Sequence, residues 1–65
     1  MKPQVSVVIP CYNDGRFLGD AIRSVEQHPD RSLYEILIVN DGSTDEATVR
    51  LLGDLEAAGY RVLNQ

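Results

Sequence analysis

Cysteine is nearly absent from this chain, with a single residue at Cys11. An internal disulfide is therefore excluded, and the composition fits a reducing compartment, so a cytoplasmic or cytoplasm-facing protein is expected. Long apolar runs are also missing: the longest, Val7–Ile9 and Ile36–Val39, fall far below the roughly 18 residues that cross a bilayer. The opening "MKPQVSVVIPCYN" lacks the extended apolar region and small-residue cleavage site of a signal peptide. Basic residues are few, with 6 Lys and Arg against 10 Asp and Glu and a formal net charge of −4. Without a basic stripe, a nucleic-acid partner loses the main source of its affinity and is not expected.

Familiar ligand signatures are missing too. The chain has no G-x-x-x-x-G-K-[ST] and no G-x-G-x-x-G, which excludes a P-loop and the common dinucleotide fingerprint. Asp41, Ser43 and Asp45 are spaced like the start of an EF-hand, but the sixth position is Glu46 instead of Gly and the twelfth is Leu52. No metal site is expected in this loop alone. Cys11 has no base nearby in sequence, because His28 falls at the far end of the intervening helix. It reads as a small buried thiol, and His28 as a helix-end residue.

What remains is an ordinary globular composition, 43% hydrophobic and 25% charged, in 65 residues. That length allows one domain at most. "QVSVVIP" and "YEILIVN" are β-branched runs without strict alternation, as in parallel strands buried on both faces. Between them Phe17, Leu18, Ala21, Ile22 and Val25 recur at helical spacing, and the helix is expected to stop near His28-Pro29. Ser43 and Glu46 match a capping box for a second helix, whose stripe is Val49, Leu51, Leu52, Leu55 and Ala58 and whose end is Gly59. "YRVL" begins a third strand. The order strand, helix, strand, helix, strand is half of a doubly wound parallel α/β sheet.

Asn-Asp-Gly occurs at 13–15 and again at 40–42, each time between a strand and the following helix. Both turns need residues that tolerate unusual dihedrals and satisfy free helix N–H groups. Both also fall at the carboxyl edge of the sheet, where ligands of such folds bind. On local chemistry alone, Asp41 reads first as a turn or cap residue and only second as a ligand contact, while Tyr12 reads equally as an aromatic surface and as a packing residue.

"VSVVIPCYN", then "AIRSV", then "YEILIVNDGSTDE" together resemble the beginning of the family-two glycosyltransferases. The resemblance spans essentially the whole chain. It implies an α/β, three-layer, Rossmann-like β-α-β-α-β half of a GT-A fold, the fold of nucleotide-diphospho-sugar transferases, with parallel strands. Residues 1–65 are then one incomplete unit, the nucleotide-binding half of a glycosyltransferase domain. By motif position the resemblance implies that Pro10, Cys11 and Tyr12 line the base pocket, and that Asp41 accepts a hydrogen bond from the base imide. Ser43 and Thr44 are expected to cap the second helix, and Asp45 and Glu46 to complement its dipole.

The implied reaction moves a sugar from a nucleotide-diphosphate donor, a uridine diphosphate sugar foremost, to an acceptor hydroxyl with inversion at the anomeric carbon. Mg²⁺ or Mn²⁺ and a general base serve the full-length enzymes, but the D-x-D motif and the base lie further along the family's pattern. No catalytic residue is expected here, and the isolated chain is expected to be inactive. Asn40 stands where many relatives carry a second Asp. The stop at "VLNQ" favours a fragment, with a membrane contact only through regions absent here and with self-association through an uncovered sheet edge or face. A stand-alone nucleotide-binding or interaction module without catalysis is the alternative.

Overall fold

Val, Ile and Leu dominate two heptapeptides, and both become strands: β1 (Val5–Cys11) and β2 (Tyr34–Asn40). They are joined by α1 (Gly15–Glu26) and followed by α2 (Glu46–Ala57) and β3 (Arg61–Asn64). The computed structural model describes residues 4–65. Residues 1–3, which begin the segment weighed above as a signal peptide, lie outside the described residues. The three strands are all parallel, in the order β1-β2-β3, with Ile9 opposite Ile38 and Ile38 opposite Val62. This is the expected β-α-β-α-β arrangement.

Crossovers of one hand that advance across a sheet in one direction put their helices on the same face. Both helices accordingly share one core with the same side of the sheet, in which Ile9, Cys11, Ile36 and Ile38 meet Leu18 and Ile22 of α1 and Leu52 of α2. Ile38, on the central strand, is fully buried at 0% exposure. Of the three layers of a complete doubly wound fold, this chain builds two, the sheet and one helical layer. Strand alternation turns Val8, Pro10, Leu37, Val39 and Leu63 to the other face, where Val8 is 55% and Leu63 49% exposed.

The helix ends follow local chemistry. Asp14 caps α1 by accepting from the Phe17 N–H at 3.3 Å. Gly59, at φ +104°, ends α2 in a Schellman motif: its N–H donates to the Glu56 carbonyl at 3.1 Å and the Tyr60 N–H to Leu55 at 3.0 Å. After α1 the chain makes a short 3₁₀ turn, Arg31–Leu33, which the sequence reading did not contain. It follows from the tight His28-Pro29-Asp30 corner, where the His28 Nδ1 accepts from the Asp30 N–H at 3.1 Å.

Two expectations about the helices are corrected. The capping box at Ser43 and Glu46 does not form, because Asp45 is the cap and accepts from the Thr48 N–H at 3.0 Å. Glu46 is therefore the first helical residue and not the third. The apolar stripes are also narrower than their periodicity suggested: Phe17 and Val49 are exposed, while Thr48 is buried in their stead. A three-stranded sheet covers only the central strip of each helix.

Candidate functional site at the tips of β1 and β2

The strand register brings the ends of β1 and β2 together, pairing Pro10 with Val39 and Cys11 with Asn40. One further step sets Tyr12 opposite Asp41, and the Asp41 N–H extends the ladder by donating to the Cys11 carbonyl at 2.9 Å. On its other side the chain is held by the Gln65 N–H, which donates to the Asn40 carbonyl at 2.9 Å. The backbone of the tip is thus fixed from both neighbouring strands.

The predicted site residues divide according to the face they occupy. Tyr12 is 62% exposed, Asp41 is exposed, and Pro10 lies on the open face of β1. Cys11 is different: its thiol is 3% exposed and belongs to the core beneath the helices, so only its main chain serves the tip. The reading of Cys11 as a small buried thiol holds for its side chain.

The turn after β2 has its own internal supports. Asn40 Oδ1 accepts from the Ser43 N–H at 3.0 Å, which leaves its Nδ2 to donate to Asn64 Oδ1 at 2.9 Å. An aspartate at this position could accept from Ser43 but, ionised, could not donate to Asn64. Gly42 supplies the left-handed corner at φ +74°. Asp45 caps α2, as described above. None of these tasks falls to Asp41, whose carboxylate has no hydrogen-bond or ion-pair partner among the described residues.

Side chains from the first turn also enter the second. Asn13 Oδ1 accepts from the N–H groups of both Thr44 and Asp45 at 2.7 Å, and its Nδ2 donates to Thr44 Oγ1 at 3.3 Å. The Asn13 N–H donates in turn to Ser43 Oγ at 3.0 Å. Ser43 and Thr44 therefore face the first turn and do not cap α2, contrary to the expectation. Deeper in, Thr48 Oγ1 accepts from the Gly15 N–H at 3.1 Å and donates to Asp45 Oδ2 at 2.8 Å. A methyl group on Gly15 would stand 3.1 Å from that hydroxyl, so a larger residue there would require Thr48 to give way.

Asn13 and Thr48 were not among the sequence candidates. The only hint was the repeated Asn-Asp-Gly, since a contact across some thirty residues is fixed by the strand register and not by local spacing.

Hydrogen bonds from Thr48, first its hydroxyl and then its N–H, hold the Asp45 carboxyl below the usual carboxylate range. A depressed carboxyl stabilises the fold above its unfolded value, and that contribution disappears as pH falls through the folded value. At neutral pH, Asp45→Ala should lower the thermal unfolding midpoint, and the gap to wild type should close as the pH is taken down through the lowered folded-state value of the Asp45 carboxyl. Circular dichroism melts across pH check this, and a constant gap would contradict the cap.

A hollow of about 430 Å³ lies at the opposite end of the sheet beside Glu26, Arg31, Tyr34, Tyr60 and Arg61. Its charges are matched internally. Glu26 accepts from Arg31 and from the Tyr60 hydroxyl, and Arg61 donates to Glu35 at 2.9 Å. The bond from Arg31, then that from Tyr60, keeps the Glu26 carboxyl low, and Glu26 in turn raises the Tyr60 hydroxyl. The cluster fastens the end of α1 to the start of β3 and, among the described residues, leaves no charge over for a ligand.

The glycosyl transferase family 2 model matches residues 6–63. The chain belongs to glycosyl transferase family 2. Among curated family-two relatives, it is 36% identical over 62 residues to an undecaprenyl-phosphate 4-deoxy-4-formamido-L-arabinose transferase of Sodalis glossinidius. That match covers 92% of this chain and 19% of the relative. A glycosyltransferase GlyG of Streptococcus pneumoniae is 36% identical over 47 residues, covering 72% and 15% of the two chains. An uncharacterized glycosyltransferase of Rickettsia prowazekii is 43% identical over 45 residues, covering 69% and 14%. The chain thus spans no more than about a fifth of the length of these family-two relatives.

The Mg²⁺ or Mn²⁺ that the family resemblance implies does not fit the donor set present. Among the described residues no group of three or more His, Cys, Asp or Glu side chains could hold a metal ion.

Proposed function

We propose that the tips of β1 and β2 form the base and ribose half of a nucleotide-sugar site. The reaction served is transfer of the sugar from its nucleotide-diphosphate donor to an acceptor hydroxyl with inversion. The observation that carries this reading is the Asp41 carboxylate, exposed on the strand tip next to that of Tyr12 and, among the described residues, unused by turn, cap or ion pair. A free carboxylate recognises an N–H donor such as the imide of uracil, and the phenol ring beside it offers a flat surface for a base. Pro10 contributes apolar surface at the same tip, and Cys11 contributes main chain.

Charge decides which part of the donor this edge holds. Asp14, Asp41, Asp45 and Glu46 all lie in or beside the two turns, with Arg16 the one basic residue there among the described residues. Such an edge suits neutral donors, an imide or ribose hydroxyls, and repels a diphosphate. Transfer itself needs a seat for the leaving diphosphate and a base for the acceptor hydroxyl, and these 65 residues contain no D-x-D. The chain on its own binds without turnover.

Equilibrium titration tests this reading. Uridine should bind at least as tightly as uridine diphosphate, with no dependence on added Mg²⁺ or Mn²⁺. Binding of the diphosphate that requires metal would overturn the assignment of this edge to base and ribose. An absence of any nucleoside binding would favour an interaction module that keeps the fold without the site.

A further inference from the structure

We propose that Asn13 is a positioning residue that locks the Tyr12 turn onto the Asp41 turn, so that the two recognition groups keep a fixed separation before any ligand arrives. The consequence for nucleotide affinity rests on the function proposed above; the lock itself does not. Asn13 has φ +50°, in the left-handed region that non-glycine residues avoid and that asparagine tolerates best. That conformation is held by four hydrogen bonds, every one of them reaching across to residues 43–45.

The two N–H groups that Asn13 Oδ1 accepts from, those of Thr44 and Asp45, precede the first residue of α2. The contact is therefore not a helix cap. It is a joint between the successors of two neighbouring strands, and Asn13 follows Tyr12 directly. Without the side chain, the first turn would keep only the main-chain bonds from Asn13 to Ser43 and from Gly15 to Thr48 beyond the end of β1, and the binding-competent pose would be one among several. Apparent affinity then falls in proportion to the fraction of molecules in that pose.

The substitution Asn13→Gly removes the side chain while relieving the backbone, and Asn13→Asp retains an oxygen for both N–H groups. Two quantities are read at a temperature where circular dichroism shows each variant folded: amide hydrogen exchange at Thr44 and Asp45 by NMR, and uridine affinity. In the glycine variant, exchange at both amides should accelerate and affinity should fall by about tenfold, while Asn13→Asp should restore both at neutral pH. A purely structural residue would shift the melting midpoint and leave folded-state affinity unchanged.

Wild-type exchange and affinity in Asn13→Gly would overturn the proposal. If wild type binds no uridine, the nucleotide reading fails and the exchange data alone judge the lock. Slow exchange in wild type and Asn13→Asp but not in Asn13→Gly then upholds it, and equal exchange in all three overturns it. Should Asn13→Gly not fold, the wild-type amides still decide, because rapid exchange at Thr44 and Asp45 is incompatible with the lock.

Discussion

Replacing Asp41 by alanine lowers the affinity for uridine by about 10- to 150-fold, the value of one charge-assisted hydrogen bond worth roughly 1.5–3 kcal/mol. Asp41→Asn should lose less, because its amide oxygen can still accept from the imide, although without the charge. Neither substitution should disturb the fold. The carboxylate has no partner among the described residues, and the bond that fixes this position, from the Asp41 N–H to the Cys11 carbonyl, is made by main chain. Calorimetry of the three proteins, with melting curves as the control, separates recognition from folding. Equal affinity would return Asp41 to the role of an ordinary turn residue.

Ile38→Ala should abolish cooperative folding at room temperature. Ile38 is fully buried at the middle of the central strand, with helices above it and strands on either side. Large-to-small changes at such positions cost about 2–5 kcal/mol, while a core in a chain of this size rarely supplies more than about 3–5 kcal/mol in total. Val8→Ala, one strand away but on the open face, should stay within about 0.5 kcal/mol of wild type. Denaturant titration of the pair tests whether a single helical layer carries the core. A mild effect at Ile38, or an equal one at Val8, would contradict that arrangement.

The fold was legible because its signals are local. β2 matches the run "YEILIVN" at both ends, β1 is displaced from "QVSVVIP" by one residue, and α1 stops just before His28-Pro29 as the proline requires. Where two local signals overlapped, the reading failed. Ser43 to Glu46 and Asp45 to Thr48 are both three-residue capping spacings, and the second forms while Ser43 Oγ is turned to the Asn13 N–H across the two turns.

Residue types identified the candidate site only in part. Tyr12 and Asp41 come to adjacent register positions at the exposed tips, as strand-end residues of neighbouring parallel strands must. Cys11 does not show its side chain there, since alternation along β1 turns it toward the helices with Ile9. Asn13 and Thr48 were invisible for a different reason. Their partners lie about thirty positions away, and nothing in composition or periodicity couples two turns before the register is known. The same holds for Phe17 and Val49, where helical spacing shows which side is apolar but not how much of it a three-stranded sheet can cover.

The central claim is that one carboxylate and one aromatic ring, delivered by adjacent strand tips, read a nucleoside. A uridine titration followed by two-dimensional NMR of the labelled chain tests it most directly. The shifted amides should fall in residues 11–13 and 40–44, with those around Glu26, Arg31 and Tyr60 unmoved. Shifts confined to the Glu26 and Tyr60 end, or none at saturating uridine, would contradict the account.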